Sequence, residues 1–442
     1  MASKAATHAG FDAPGDVISE DTVYEFLPIE YTEKDIQIIR ELAKKYMSYA
    51  TLPCQEETIK LWEKVNDLER ARPVLWHNDL PFYELKVGGE LTLITSSPFT
   101  QRIEEELRNR IYIWEHIRGD AVLEPVFYSP MIIRSSGIGL DIVEETVQTD
   151  ANNSIVGHKY VPTLVDWDDI EKIKDPVITV DEEQTKATYD AYCTIFGDTM
   201  PVEIKGAQGF WYTPMDDVVQ YMGTTAILEN IMEDPDFVHA CMKRIVEVDT
   251  IALDQYEKLG AIASNNKNFR IGSGGYGYSS KLGRGKMTGM KTSEMWGACA
   301  SQYFTTVSPA MHNEFSLQYE IPWLERFAYS YYGCCERMDH KMDYMRQVKN
   351  LRKVTCSPWN NTEHMAEVCG RDYVVSLKPS PACFAYDTFD EQMVRDDIKT
   401  KLNYLKDCNV EILIKDISTV RYEPERLWRW MEIVHEMIVN MD

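Results

Sequence analysis

Tyr331-Tyr332-Gly333-Cys334-Cys335-Glu336 closes a short aromatic, apolar run that starts near Phe327. Its composition predicts a buried strand, and its two cysteines and one carboxylate fall where that strand gives way to a loop. Downstream the pattern repeats. Short apolar runs over 329–335, 351–356, 373–377 and 410–415 alternate with helical spacing over 338–348, 362–369, 390–405 and 424–439. Val394, Ile398, Leu402 and Leu405 share one face of the third helix, as Leu427, Met431, Val434 and Ile438 do of the last. Four successive strand–helix units demand right-handed crossovers and a parallel sheet.

Upstream the rhythm is looser. Residues 72–77 and 202–205 read as core strands, 261–264 as a further one, and 98–117 as an amphipathic helix. Together these predict an α/β chain, a (β/α)8 TIM barrel over 71–442 carrying an inserted segment around 140–175. Residues 1–70 are expected as an N-terminal arm and helices. Ser308-Pro309 opens a helix that Pro322 should kink or divide.

Composition narrows the function. Of 442 residues, 44% are hydrophobic and 26% charged, which describes a globular chain with an ample core. A formal charge of −25 opposes contact with nucleic acid or an acidic membrane, since phosphate needs a basic field. No window reaches the apolar length of a membrane span, and the first residues lack a signal core, so a cytoplasmic chain is expected. Ten cysteines are then expected as thiols, most of them packed as small hydrophobes.

In a barrel, chemistry is built at the C-terminal ends of the strands. Those ends carry His77, Gln208 with Trp211, Asn265 with Asn266, Cys334-Cys335-Glu336, Cys356, Lys378, and Lys415-Asp416. Soft thiolates and carboxylates on neighbouring strands are metal-type donors. Cys335, Glu336 and Cys356 are therefore candidate metal ligands, with Asp416 completing the ring; which cysteine faces inward stays open, because adjacent strand residues point opposite ways. Lys415-Asp416 reads equally as an internal ion pair. His312 and Glu320 are expected as solvated or structural residues.

Gly272-Ser-Gly-Gly-Tyr-Gly277 matches G-x-G-x-x-G, but Gly283, Gly285 and Gly289 leave no room for the helix a dinucleotide site requires. It reads instead as a mobile loop offering Tyr276 and Tyr278 to a ligand. His77, Trp211, Asn266 and Tyr276 are the candidate substrate-binding residues. No serine-hydrolase elbow and no H-E-x-x-H helix occurs.

Ser308-Pro309, Glu314-Phe315, Tyr319-Glu320 and Pro322, then Tyr332-Gly-Cys-Cys-Glu336, Ser357-Pro-Trp359 and Lys415-Asp-Ile-Ser-Thr419 together resemble the uroporphyrinogen decarboxylase-like superfamily. The likeness is good over about 200–440 and weak before it. The arginine-rich segment of the true decarboxylase is not matched at residues 72–77, so the resemblance points to the branch of corrinoid-dependent methyltransferases that serve anaerobic O-demethylases. It implies transfer of a methyl group from a small methylated donor to the cobalt of a partner corrinoid protein. It also implies zinc, and a cobalamin carried by the partner, since no Asp-x-His-x-x-Gly occurs here. The chain departs from the family's His-x-Cys pattern: Gly333 and Tyr332 stand where the histidine would. Asp416 is then the candidate catalytic residue, protonating the leaving phenolate or orienting substrate. Trp76, Trp211, Tyr276 and Trp359 suit an aryl ether better than methanol or a thiol. The alternatives are a metal-free decarboxylase or lyase of a small carboxylate, and a non-catalytic barrel that docks the corrinoid protein.

Overall fold

The computed structural model describes residues 27–147 and 157–440. Its main sheet has seven parallel strands: β1 (Val74–His77), β2 (Trp211–Tyr212), β3 (Trp296–Cys299), β4 (Tyr329–Tyr332), β5 (Leu351–Cys356), β6 (Val374–Leu377) and β7 (Asn409–Ile414). Their order in space is β1-β7-β6-β5-β4-β3-β2, so the first strand lies beside the last. Val74 is paired with Glu411, and His77 with Ile414.

The sheet does not close by strand pairing into the expected eight-stranded ring. Phe127–Pro130 and Val202–Lys205 pair only with each other. The strand expected over 261–264 shrinks to one bridge, Ala207 with Ile262. Its remaining backbone groups are satisfied by a loop instead: Ser264 N donates to Lys286 O and Met290 N to Ile262 O. A cavity opens between the two edge strands, lined by Trp76 and His77 from one and Trp211 from the other.

Each inner strand is buried on both faces, and period-two alternation separates two cores. Leu75, Tyr332, Val354, Cys356, Val375, Ile412 and Ile414 belong to a core shared with Leu427, Trp430, Met431, Val434 and Ile438 of the last helix, Glu425–Val439. The opposite face presents Tyr331, Lys353 and Glu411 to the glycine segment 272–277. That segment is not an exposed loop but a wedge. Gly275 N donates to Glu411 Oε1 at 3.0 Å, Lys353 Nζ reaches Tyr276 O at 3.1 Å, and Lys353 pairs with Glu411 at 2.8 Å with both side chains fully buried. A Cβ on Gly275 would stand 2.4 Å from Trp62 and 3.0 Å from Glu411. Gly275→Ala is therefore expected to cost about 1–3 kcal/mol from overpacking, read as a fall in urea midpoint with the slope unchanged.

The N-terminal helix Glu33–Ala50 is fixed at its start by Thr32 and Asp35, which form a capping box. Asp35 also accepts from Ser96 N and Ser96 Oγ, both at 2.7 Å, which ties the helix to the start of the helix Pro98–His116. Ile39, Ala43 and Tyr46 pack there with Ile103, Leu107 and Ile111. In the inserted region, Val143–Val147 and Gly157–Val161 form an antiparallel hairpin. Of the expected N-terminal arm and helices over 1–70, residues 1–26 lie outside the described residues.

The helix begun at Pro309 is divided by a π-turn, Asn313–Leu317, and resumes as Gln318–Leu324 with Pro322 inside it. The π-turn places His312 and Glu320 in the core rather than in solvent. His312 Nε2 meets Tyr332 OH at 2.9 Å, and that hydroxyl donates to Glu320 Oε2 at 2.6 Å. Ser301 Oγ donates to Glu320 Oε1 at 2.8 Å. The His312 and Glu320 side chains are both fully buried.

Candidate active site

β4 ends at Tyr332, and Gly333 then takes φ +98°, where a Cβ would stand 2.3 Å from Thr355 Cγ2. Only glycine fits such a turn. Because the cysteines sit in this turn rather than on the strand, they no longer point apart. Their sulfurs lie 3.6 Å from each other. Glu336 holds the turn from beneath: Oε2 accepts from Cys334 N at 2.6 Å and Oε1 from Ser301 N at 3.1 Å.

The cations come from β6 and β7. Lys415 Nζ stands 3.3 Å from Cys334 Sγ, 3.7 Å from Cys335 Sγ and 3.2 Å from Asp416 Oδ1. Lys378 Nζ donates to Ser273 Oγ, Tyr331 OH, Thr355 Oγ1 and the Cys334 carbonyl, all within 3.0 Å. Asp416, in the left-handed region at φ 55°, brings Oδ2 to 3.5 Å from Cys335 Sγ.

Charge separates the two thiols. The hydrogen bond from Cys335, with the Lys415 and Lys378 ammoniums, outweighs burial and lowers the Cys334 thiol to about 6. Cys335 is raised well above its usual range by donating that bond, by burial and by the neighbouring thiolate. The thiol that is lowered, Cys334, is also the one nearer Lys415, at 3.3 Å against 3.7 Å for Cys335.

The expected metal ligands do not meet. Among the described residues, Cys335, Glu336 and Cys356 are not a group whose donor atoms gather within 4.8 Å; Glu90, Glu115 and His116 are, on the surface. Parity explains Cys356: Thr355 faces the wedge side, so Cys356 faces the helices, buried, its thiol pushed up to about 12 by burial. Glu336 has both oxygens committed to backbone amides. Zinc therefore does not fit the set Cys335, Glu336 and Cys356.

Three of the four expected substrate residues do meet. His77, Trp211 and Tyr276 line the cavity of about 380 Å³, together with Trp76, Phe269 and Arg270. His77 stacks on Trp76 at 4.0 Å; burial pushes its pKa down to about 3, so the ring is neutral, and neither nitrogen has a hydrogen-bond partner. Asn266 does not join them. It is buried, donating to Ser279 O and Leu282 O and accepting from Ser279 N, and so fixes the glycine-rich segment.

The cysteines and Lys415 do not line the cavity, but two wall residues lead toward them. Arg270 in the cavity wall pairs with Asp79 at 3.1 Å, and Asp79 lies 4.0 Å from Lys415 Nζ. Gly272, also in the wall, precedes Ser273, which meets Lys378 and the Gly333 carbonyl. The sequence leaves the choice between Cys334 and Cys335 open, and it places Lys378 and Lys415 at strand ends without a role. The lysines were legible as charged residues at core strand ends; Asp79 and Arg270 carried no such signal.

No protein-family model and no curated protein sequence matches this chain. Among solved structures, a methyltransferase from Methanosarcina mazei aligns with a TM-score of 0.47 at 11% identity, covering 86% of this chain and 99% of that one. Among the described residues, no helix is long and apolar enough to cross a membrane.

Proposed function

We propose that this chain is an enzyme of methyl transfer whose reacting group is the Cys334 thiolate, and that the sheet with its edge cavity is an opened variant of the (β/α)8 barrel. The carrying observation is a pair of sulfurs 3.6 Å apart, of which Cys334 Sγ stands 3.3 Å from the Lys415 ammonium, beyond the C-terminal ends of β4 and β7. A soft thiolate is matched to a methyl carbon, and it is the active form for such displacement.

The donor class is a methoxylated aromatic, whose ring the cavity walls Trp76, Trp211 and Tyr276 suit. Cys334 Sγ bonds to the methyl carbon as the carbon–oxygen bond breaks. The bonding pair leaves on the oxygen as a phenolate, whose charge Lys415 faces. Asp416 holds Lys415 from the solvent side. The methyl then passes to the reduced cobalt of a partner corrinoid protein as the carbon–sulfur bond breaks, its pair returning to Cys334. The cobalt is the partner's and acts as the acceptor substrate.

The test is incubation with a panel of methoxyarenes and methylamines, without and with a reduced corrinoid protein. The expected result is one methyl on the Cys334 peptide in the first case and turnover in the second. Neither adduct nor turnover with any donor would sink the reading. A second reading rests on the cavity's Arg102, Arg110 and Arg270, which suit a small carboxylate and thus a metal-free decarboxylase or lyase. Release of carbon dioxide from a bound carboxylate, undiminished in Cys334→Ala, would favour it.

A further inference from the structure

Neighbours on a strand point to opposite sides, yet the sulfurs of Cys334 and Cys335 stand only 3.6 Å apart. The turn at Gly333, with φ +98°, makes this possible, and Glu336 pins it by accepting from Cys334 N at 2.6 Å. The two sulfurs have different companions. The Lys415 ammonium is 3.3 Å from Cys334 Sγ, where it favours thiolate over thiol. Asp416 Oδ2 is 3.5 Å from Cys335 Sγ, placed to accept its proton. Cys334 is 7% exposed and Cys335 is partly buried beside it, an opening for a small oxidant rather than for another protein. A nucleophilic sulfur next to a second thiol that can close on it is the arrangement of a redox-responsive cysteine with its resolving partner.

We infer that Cys334 and Cys335 form a site of reversible oxidation by a hydroperoxide, in which Cys334 is the attacking sulfur and Cys335 resolves it. The Cys334 sulfur bonds to the terminal peroxide oxygen as the oxygen–oxygen bond breaks, and the departing oxygen takes a proton from solvent. Cys334 is then a sulfenic acid. Cys335 passes its proton to Asp416, and its sulfur attacks that of Cys334 as the sulfur–oxygen bond breaks. The hydroxide leaves as water, taking the proton back from Asp416. Two thiols are oxidised to one disulfide, and one peroxide is reduced. Trans-linked neighbours hold their Cα atoms about 3.8 Å apart, closer than the roughly 4.4–6.8 Å of ordinary disulfides. A bridge so constrained is strained and readily reduced, so it serves as a closure and not as a structural bond. Without Cys335 the sulfenic acid would go on to sulfinic acid, which thiols do not reverse. The oxidation stands apart from methyl transfer; its consequence, a closed pair with no thiolate to take a methyl group, rests on that reading.

Peptide mass mapping tests it without turnover. The full chain is treated with hydrogen peroxide, then with or without dithiothreitol, and its remaining thiols are capped with iodoacetamide. The peptide that holds both cysteines is then weighed. In the wild type it is expected to lose two hydrogens and escape capping, and to take both caps after dithiothreitol. In Cys335→Ser, Cys334 is expected to gain two oxygens and keep them after dithiothreitol, a complete loss of reversibility. Circular dichroism establishes that the variant is folded, Cys335→Ala is the second variant, and the wild-type result decides alone if neither folds. The inference is overturned if wild-type Cys334 also gains two oxygens, or if a bridge joins either residue to a third cysteine. It is equally overturned if both stay capped at peroxide levels that fully oxidise free cysteine. A negative methylation assay would leave the disulfide standing, whereas methyl transfer by a pair that never closes would overturn this inference alone.

Discussion

Cys334→Ser is expected to lower methyl transfer by about 10³-fold or more, the scale on which enzymes lose rate when the attacking atom is removed. A serine hydroxyl keeps the size of the side chain but is not ionised at neutral pH, so it cannot offer the electron pair. Cys356→Ser, one strand away, should leave turnover near wild type, because Cys356 faces the helix core. Alkylation by iodoacetamide gives an independent readout. The Cys334 thiol lies at about 6, below its usual 9, so its labelling rate should be near maximal at pH 7 and fall as the pH drops through 6. Cys335→Ala removes the largest cause of the lowering and Lys415→Met the next attractive one, so both should move the midpoint upward. A labelling midpoint near 9 in the wild type would contradict the picture of an ionised Cys334.

The largest stability effect is expected at Lys353 and Glu411. The pair is 2.8 Å apart with no exposure on either side, and the wedge adds the Tyr276 carbonyl and the Gly275 amide. Burial draws the Lys353 pKa down while Glu411 holds it up. Lys353→Met strands a carboxylate in the interior and should cost about 3–5 kcal/mol, read from urea denaturation. Lys353→Met with Glu411→Leu should recover most of that loss, since an apolar pair of like volume escapes the desolvation of both charges. A double variant no better than the worse single one would show that the wedge, rather than the pair, depends on the charges.

The regular third of the chain was the most legible. The helix 362–369 and the strand 351–356 fall where periodicity places them, because those segments are locally consistent and satisfy their own backbone. Barrel closure was not legible, for the opposite reason. Residues 261–264 have strand composition, but their hydrogen bonds are divided between Ala207 and a loop from 286–290, a long-range choice that no local pattern records. Of Cys335, Glu336 and Cys356, only Cys356 ends its strand as expected; β4 stops at Tyr332, so the other two lie in the turn beyond it. Their failure to converge follows from two details: the Gly333 turn, which brings both cysteines to one side, and strand parity, which sends Cys356 to the other face. Glu336 was legible as a carboxylate that needs partners, and it found them in two amides rather than a metal.

The pairing of Val74 with Glu411 has a consequence for how this protein is made. Strand β1 is synthesised before β7, which among the described residues is its one sheet neighbour and lies some 340 residues later. Until the C-terminal segment leaves the ribosome, β1 has an open edge, and the wedge lacks Glu411, the carboxylate that accepts from Gly275. Contacts of such sequence separation close slowly. The nascent chain thus carries an unpaired edge while the residues between the two strands are made, the interval in which chaperone binding or misassembly competes with folding.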